Sequence, residues 1–157
     1  MVDVGAKEKT ERVAVASGRV RMSPEALSAI GQNRVEKGDV VAAARLAGIM
    51  AAKKTAELLP LCHPLGLSGV EVEVRVGRSA IEVMATVKTV ERTGVEMEAL
   101  MAVSAAALTV YDMLKSIDRA MVIEAVQLEL KSGGRSGLYV RSRPALKPPP
   151  KRRRSKK

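Results

Sequence analysis

Four short stretches carry side chains able to move protons or hold anions. Glu96 and Glu98 open an apolar run whose far end carries Asp112 and Lys115. Residues three apart share a helix face. A carboxylate beside an ammonium is a common acid–base arrangement. The neighbours Val110-Tyr111 and Met113-Leu114 predict a part-buried setting, where burial lowers the lysine's pKa. The plainer alternative is a pair of glutamates complementing a helix dipole plus a surface ion pair. Pro60-Leu61-Cys62-His63-Pro64 holds the chain's single cysteine and single histidine. Adjacent side chains in extended chain point apart, so a Cys–His nucleophile pair is disfavoured. His63 is left for ligand binding or proton transfer, or for a purely structural role. Lys131-Ser132-Gly133-Gly134-Arg135-Ser136-Gly137 offers backbone N–H groups and two cations to a phosphate, although Gly-Gly also simply turns a chain. The G-x-x-x-x-G-K-[ST] order of a P-loop is absent. Lys37-Gly38-Asp39 sets a further cation beside a turn, or a solvated loop lysine.

Regular elements must position these groups. Arg12 to Met22 is β-branched with a break at Gly18, which predicts a bent strand or a hairpin. Ser23-Pro24-Glu25 starts a helix carrying Leu27 and Ile30. Asp39 caps an alanine-rich helix from Val40 to Leu58. Pro60, Pro64, Gly66 and Gly69 mark irregular chain. Val70, Val72, Val74 and Val76 alternate with polar residues as a strand, and Gly77-Arg78 turns it into Ile81–Val90. A long apolar helix runs from Val95 to Ser116, and Met121 to Leu130 is the last strand. Residues 1–11 are polar without a period and leave room for mobility. The order β-α(α)-β-β-α-β is that of an α+β, ferredoxin-like fold, an antiparallel sheet covered by helices on one face.

The helix also imposes a distance. Glu98 and Asp112 lie fourteen residues apart, about 21 Å along a helix, on one stripe. They cannot readily serve one small reacting centre within one chain. A long substrate or a site shared by two chains resolves this, and the second is favoured.

Composition excludes other classes. The chain has 157 residues and a net charge of +10, which invites a nucleic-acid reading. However, residues 141–157 hold nine basic residues and no acidic one, so the first 140 are nearly neutral. Two tyrosines are the only aromatics, too few for base-stacking platforms. One cysteine and one histidine cannot build a zinc site or an intrachain disulfide within one chain. The most apolar stretch, Ala99 to Tyr111, reads as too short for a bilayer, and no charged-then-apolar leader opens the sequence. A cytoplasmic protein is expected, with residues 1–140 as the working domain and 141–157 as a basic, proline-containing disordered tail.

Taken together, the chain resembles the molybdenum-cofactor biosynthesis protein C family, the cyclic pyranopterin monophosphate synthases. The resemblance is carried by Met1-Val2-Asp3-Val4, Lys37-Gly38-Asp39-Val40, Ala47-Gly48-Ile49 with Ala51-Ala52-Lys53, and Leu59 to Leu65 around Pro-Leu-Cys-His-Pro. It continues through Thr93-Gly94-Val95-Glu96-Met97-Glu98-Ala99-Leu100, Tyr111-Asp112-Met113 and Lys131-Ser132-Gly133-Gly134. These cover roughly residues 1–140, and the tail has no counterpart.

The resemblance implies a lyase of molybdenum cofactor (molybdopterin) biosynthesis. It would convert (8S)-3′,8-cyclo-7,8-dihydroguanosine 5′-triphosphate to cyclic pyranopterin monophosphate and release pyrophosphate. It implies a ferredoxin-like homohexamer, a trimer of dimers with interfacial sites. Asp112, Lys115, Lys37 and Lys131 match catalytic positions. Leu61, Cys62, His63, Met97 and Glu98 match substrate-binding stretches, and Glu96 is a further site carboxylate. Arg135 stands where a lysine is common, which keeps a phosphate contact with altered geometry. No cofactor is required, though Mg²⁺ can accompany the triphosphate. The partner is a nucleotide-derived small molecule, with no nucleic acid and no membrane. A non-catalytic nucleotide-binding module and a tail-driven RNA or membrane binder are the weaker alternatives.

Overall fold

The computed structural model describes residues 1–142. Residues 143–157, and with them most of the expected disordered tail, lie outside the described residues. The strands are β1 (Thr10–Arg21), β2 (Leu67–Val76), β3 (Ala80–Glu91), β4 (Val122–Ser132) and a two-residue β5 (Tyr139–Val140). The helices are α1 (Pro24–Gly31), α2 (Val40–Lys53), the single turn α3 (Thr55–Leu58) and α4 (Glu96–Leu114). The sheet order is β2-β3-β1-β4-β5, with every pairing antiparallel. This is the ferredoxin-like α+β arrangement expected from the element order.

β1 is one strand and not a hairpin. It pairs with β3 along its whole length, from Thr10↔Glu91 to Arg21↔Ala80. The predicted bend survives as two register shifts against β4, between Val15 and Ala16 and between Ser17 and Arg19. Gly18 has a packing reason. A Cβ there would lie 2.6 Å from Val103 Cγ1 of α4. Ala14, Ala16 and Val20 of the same face are fully buried. Across α4, Gly48 of α2 does the same job, since a Cβ would lie 2.9 Å from the Ala102 carbonyl oxygen. Small residues therefore bring the sheet, α4 and the neighbouring α2 close together, and a core without phenylalanine or tryptophan fills with Ala99, Ala102, Val103, Ala106, Ala107 and Val110. By length and apolarity alone α4 matches a membrane span, but it is the core helix of this fold.

The predicted helix from Val40 to Leu58 divides at Lys54. Thr55 Oγ1 donates to the carbonyls of Ala51 and Ala52 at 3.2 and 3.1 Å, competing with the helical backbone bonds. The caps behave as the sequence indicates. Ser23 Oγ accepts from the Ala26 amide, and Asp39 Oδ1 accepts from the Ala42 amide at 2.9 Å. The end of α4 is tied to the start of α1, because Asp118 Oδ2 accepts from the Ser23 amide at 2.7 Å. The short β5, which alternation cannot reveal in two residues, adds to the edge of β4. Arg141 continues it, its amide donating to the Glu129 carbonyl at 2.8 Å.

Candidate active site

The candidate residues collect in three groups. The first lies at the C-terminal end of α4. Asp112 Oδ1 is 2.7 Å from Lys115 Nζ, and Asp112 Oδ2 is 2.5 Å from Lys37 Nζ. Lys37 also donates to the Asp112 carbonyl at 3.0 Å. Lys37 arrives through a tight turn: the Gly38 amide donates to Val35, and Gly38 has a φ of +92° that suits glycine. Hydrogen bonds from Lys115 and then Lys37 hold the Asp112 carboxyl down at about 2. The group is not part-buried as the flanking apolar residues suggest. Asp112 and Lys115 side chains are 55% and 53% exposed, because Val110, Met113 and Leu114 take the core face of the helix and leave Asp112 outside it. Within one chain, Lys115 is therefore not buried.

The second group surrounds the Gly-Gly loop after β4. A cavity of about 180 Å³ is lined by Lys7, Arg12, Arg92, Glu96, Lys131 and Ser136. A wider groove of about 700 Å³ beside it adds Arg135. Lys131 Nζ donates to Ser136 Oγ. Gly133 and Gly134 have φ of +93° and +68°. A Cβ on Gly133 would overlap the Glu11 carbonyl, so the loop packs directly on β1. Arg12 is held rigid by the carbonyls of Glu91 and Arg92 at 3.3 and 3.2 Å. Convergent cations around a concave, partly enclosed space suit a polyanion.

The third group flanks the start of α4. Glu98 is 4% exposed and faces a cavity of about 120 Å³ shared with His63, Lys53 and Thr55. Burial, with a smaller contribution from Glu96, pushes the Glu98 carboxyl up, against the lowering effect of its own backbone amide. Burial and then Glu98 push the Cys62 thiol up, which suits a non-nucleophilic role. His63 Nε2 lies 2.8 Å from the Val2 carbonyl oxygen, which accepts a hydrogen bond from the ring. Leu61 and Met97 remain 70% and 41% exposed beside this group.

The sequence singles out one or more residues in each group but misses Lys7, Arg12, Arg92 and the placement of Lys53. Lys7 and Arg12 precede or open β1, and Arg92 follows β3. Only the β1–β3 register brings these separate basic residues together. Among the described residues no group of three His, Cys, Asp or Glu side chains is arranged to hold a metal ion. The first group stands far from the other two, since α4 alone separates Glu98 from Asp112 by about 21 Å.

Residues 1–134 match the MoaC family. This chain belongs to that family. It is 61% identical over 143 residues to the cyclic pyranopterin monophosphate synthase of Thermomicrobium roseum, covering 90% of this chain and 86% of the relative. It is 58% identical over 144 residues to the cyclic pyranopterin monophosphate synthase of Streptomyces griseus, covering 92% and 81%. The corresponding Roseiflexus protein is 60% identical over 142 residues, covering 89% and 90%. The MoaC match contains all three residue groups except Arg135 and Ser136, which fall one and two positions beyond it.

Proposed function

We propose that this chain is a cyclic pyranopterin monophosphate synthase, a lyase of molybdenum cofactor biosynthesis. It converts (8S)-3′,8-cyclo-7,8-dihydroguanosine 5′-triphosphate to cyclic pyranopterin monophosphate and pyrophosphate. The observation that carries the reading is the coexistence of a cation-lined cavity with two carboxylate sites of opposite character. One is Asp112, held as an anion between two ammonium groups. The other is Glu98, whose charged form burial disfavours.

The chemistry needs each part. Pyrophosphate leaves as the bond between the α- and β-phosphates breaks and the α-phosphorus gains a second ester oxygen within the molecule. Lys131, Arg135, Lys7 and Arg12 offset the charge of the departing group. Rearranging the purine-derived base into a pterin moves several protons. Two sets of proton-bearing side chains serve that purpose: Lys37 and Lys115 around the Asp112 anion at one end of α4, and Glu98 with His63 at the other. Any Mg²⁺ travels with the triphosphate.

The site is completed between chains. One chain separates Asp112 from the N-terminal end of α4, and it leaves Asp112, Lys115 and Lys37 open to water. A second chain laid against this surface supplies the missing half and the missing burial. Exposed Leu46, Met50 and Leu108 on the helical layer, 51–60% exposed, support further association. The assembly proposed is a homohexamer built as a trimer of dimers, acting in the cytoplasm on a free small molecule, without nucleic acid or membrane. The test is incubation of the purified chain with the cyclised GTP intermediate, followed by detection of pyrophosphate and the pterin. Bound nucleotide without turnover would sink the enzymatic reading, and a monomer at working concentration would sink the shared site.

A further inference from the structure

The segment ahead of β1 is pinned at two main-chain carbonyls by side chains from two parts of the site. His63 Nε2 lies 2.8 Å from the Val2 carbonyl oxygen, and Arg92 Nη1 donates to the Gly5 carbonyl at 2.7 Å. Between the anchors the chain makes a local turn, with the Gly5 amide donating to Asp3 Oδ1 and the Lys7 amide to the Val4 carbonyl. Little else holds it, since Met1 and Val2 are 71% and 76% exposed and bury almost no apolar surface. Its position therefore depends on these few polar contacts.

Lys7 follows this turn and lines the cation-rich cavity beside Arg12, Arg92 and Lys131. Four cations outnumber the single carboxylate, Glu96, around this small space, so an untethered lysine would swing out to water. We infer that Arg92 is a positioning residue for this cavity: by holding the Gly5 carbonyl it sets Lys7 over the place where a polyphosphate binds. Its own main chain serves the same end, because the Arg92 carbonyl accepts from Arg12 Nη2 at 3.2 Å. One residue thus fixes two of the cations before the ligand arrives, which lowers the ordering cost of binding. The inference rests on the reading of this cavity as the triphosphate site.

The test is a double-mutant cycle on the full chain with Arg92→Met and Lys7→Met. Steady-state kinetics with the cyclised GTP intermediate, calorimetry with inorganic pyrophosphate, and hydrogen exchange over residues 1–9 are its readouts. Loss of a charge-assisted hydrogen bond predicts that Arg92→Met raises KM and the pyrophosphate Kd about tenfold, with kcat nearly unchanged. Exchange over residues 1–9 rises while that of β3 and α4 stays the same. Arg92→Lys, which still donates to the Gly5 carbonyl, restores most of both. In the Lys7→Met background Arg92→Met adds less than about twofold, because the residue it positions is gone. Full additivity of the two substitutions would overturn the proposal, as would unchanged exchange over residues 1–9. Should Arg92→Met not fold, Arg92→Gln in the same cycle reads the same coupling. Failure of the synthase reading shows separately, as absent turnover by the unmutated chain, while the exchange and pyrophosphate measurements still report on Arg92.

Discussion

Lys37 and Asp112 are 75 residues apart in the chain, yet the ammonium of one lies 2.5 Å from the carboxylate of the other. Lys115 takes the second oxygen at 2.7 Å. A carboxylate gripped on both sides has a fixed orientation, and each lysine is aimed by the same anion. Under the function proposed above, this fixes the positions of two ammonium groups while Asp112 itself stays an anion. It is not a strong stability device, because exposed ion pairs contribute little to folding.

Asp112→Asn, Lys115→Ala and Lys37→Ala should each lower the rate of pyrophosphate release by at least about a hundredfold, the usual scale for loss of an acid–base group. Thermal midpoints and oligomeric state should stay close to those of the unmutated protein. Pyrophosphate release is read by a coupled assay and assembly by light scattering. Full turnover by Asp112→Asn would remove this residue from the chemistry.

The pH behaviour of Asp112 follows from its depressed pKa of about 2. A carboxylate below its ordinary value favours the folded, paired state above that ordinary value, and the pairing is lost as pH falls towards 2. The acid limb of the activity profile therefore does not come from Asp112 in the free chain. Carboxyl-carbon NMR should give a midpoint near 2, rising towards the ordinary value in Lys115→Ala. A midpoint near 4 in the unmutated chain would contradict the two-lysine grip.

How much of this was readable beforehand depended on the kind of signal. Val70 to Val76 and the long apolar run beginning at Val95 declared themselves by periodicity, and Ser23 and Asp39 by cap chemistry. The apolar neighbours of Asp112 say nothing of its environment, because in a helix i±1 and i±2 residues point elsewhere. The break of the second helix at Lys54 has no such signal in the sequence, since the hydroxyl bonds of Thr55 to the preceding turn have counterparts at Ser104 and Thr109 inside the continuous α4. Lys7, Arg12 and Arg92 were missed because their meeting depends on strand register, a long-range property. The family resemblance located the chemistry-bearing motifs but said nothing of how β1 gathers the remaining cations.

Glu98 offers the opposite titration. Its raised pKa means that its contribution to stability is fully present below the ordinary carboxylate value and is lost as pH rises through the raised value. As pH rises past that range, keeping Glu98 buried costs the fold progressively more. Glu98→Gln should raise the thermal midpoint at pH 7 and lose that advantage near pH 4, while turnover falls because an amide cannot exchange the proton. Calorimetry at the two pH values decides it, and an unchanged or lowered midpoint at pH 7 would count against a destabilising carboxylate.

The C-terminal basic run can be separated from the enzyme at a defined point. Arg141 Nε donates to the Leu128 carbonyl at 2.7 Å, and β5 pairs Val140 with Leu130. A cut after Tyr139 would therefore disturb β4, whereas a stop after Ser142 should leave kcat and KM within about twofold, since it removes no contact described above. Steady-state kinetics on the two truncations checks this. A large loss in the chain ending at Ser142 would assign the basic run to the reaction.

Two glycines should separate packing from ligand holding. At Gly18 a methyl group would press on Val103 Cγ1 at 2.6 Å, inside the closest contact of the core. Gly18→Ala should therefore cost about 1–3 kcal/mol of stability, the usual penalty for overpacking, with KM near its original value in the surviving folded protein. At Gly133 the φ of +93° and the Glu11 carbonyl both oppose a side chain. Gly133→Ala should distort the loop carrying Lys131 and Arg135, costing about 1–3 kcal/mol locally. Because the loop closes the cation-lined cavity, KM should rise several-fold there and not in Gly18→Ala. Denaturant unfolding and steady-state kinetics on both variants make the comparison. If Gly133→Ala lost stability without any change in KM, the loop would be a turn and nothing more.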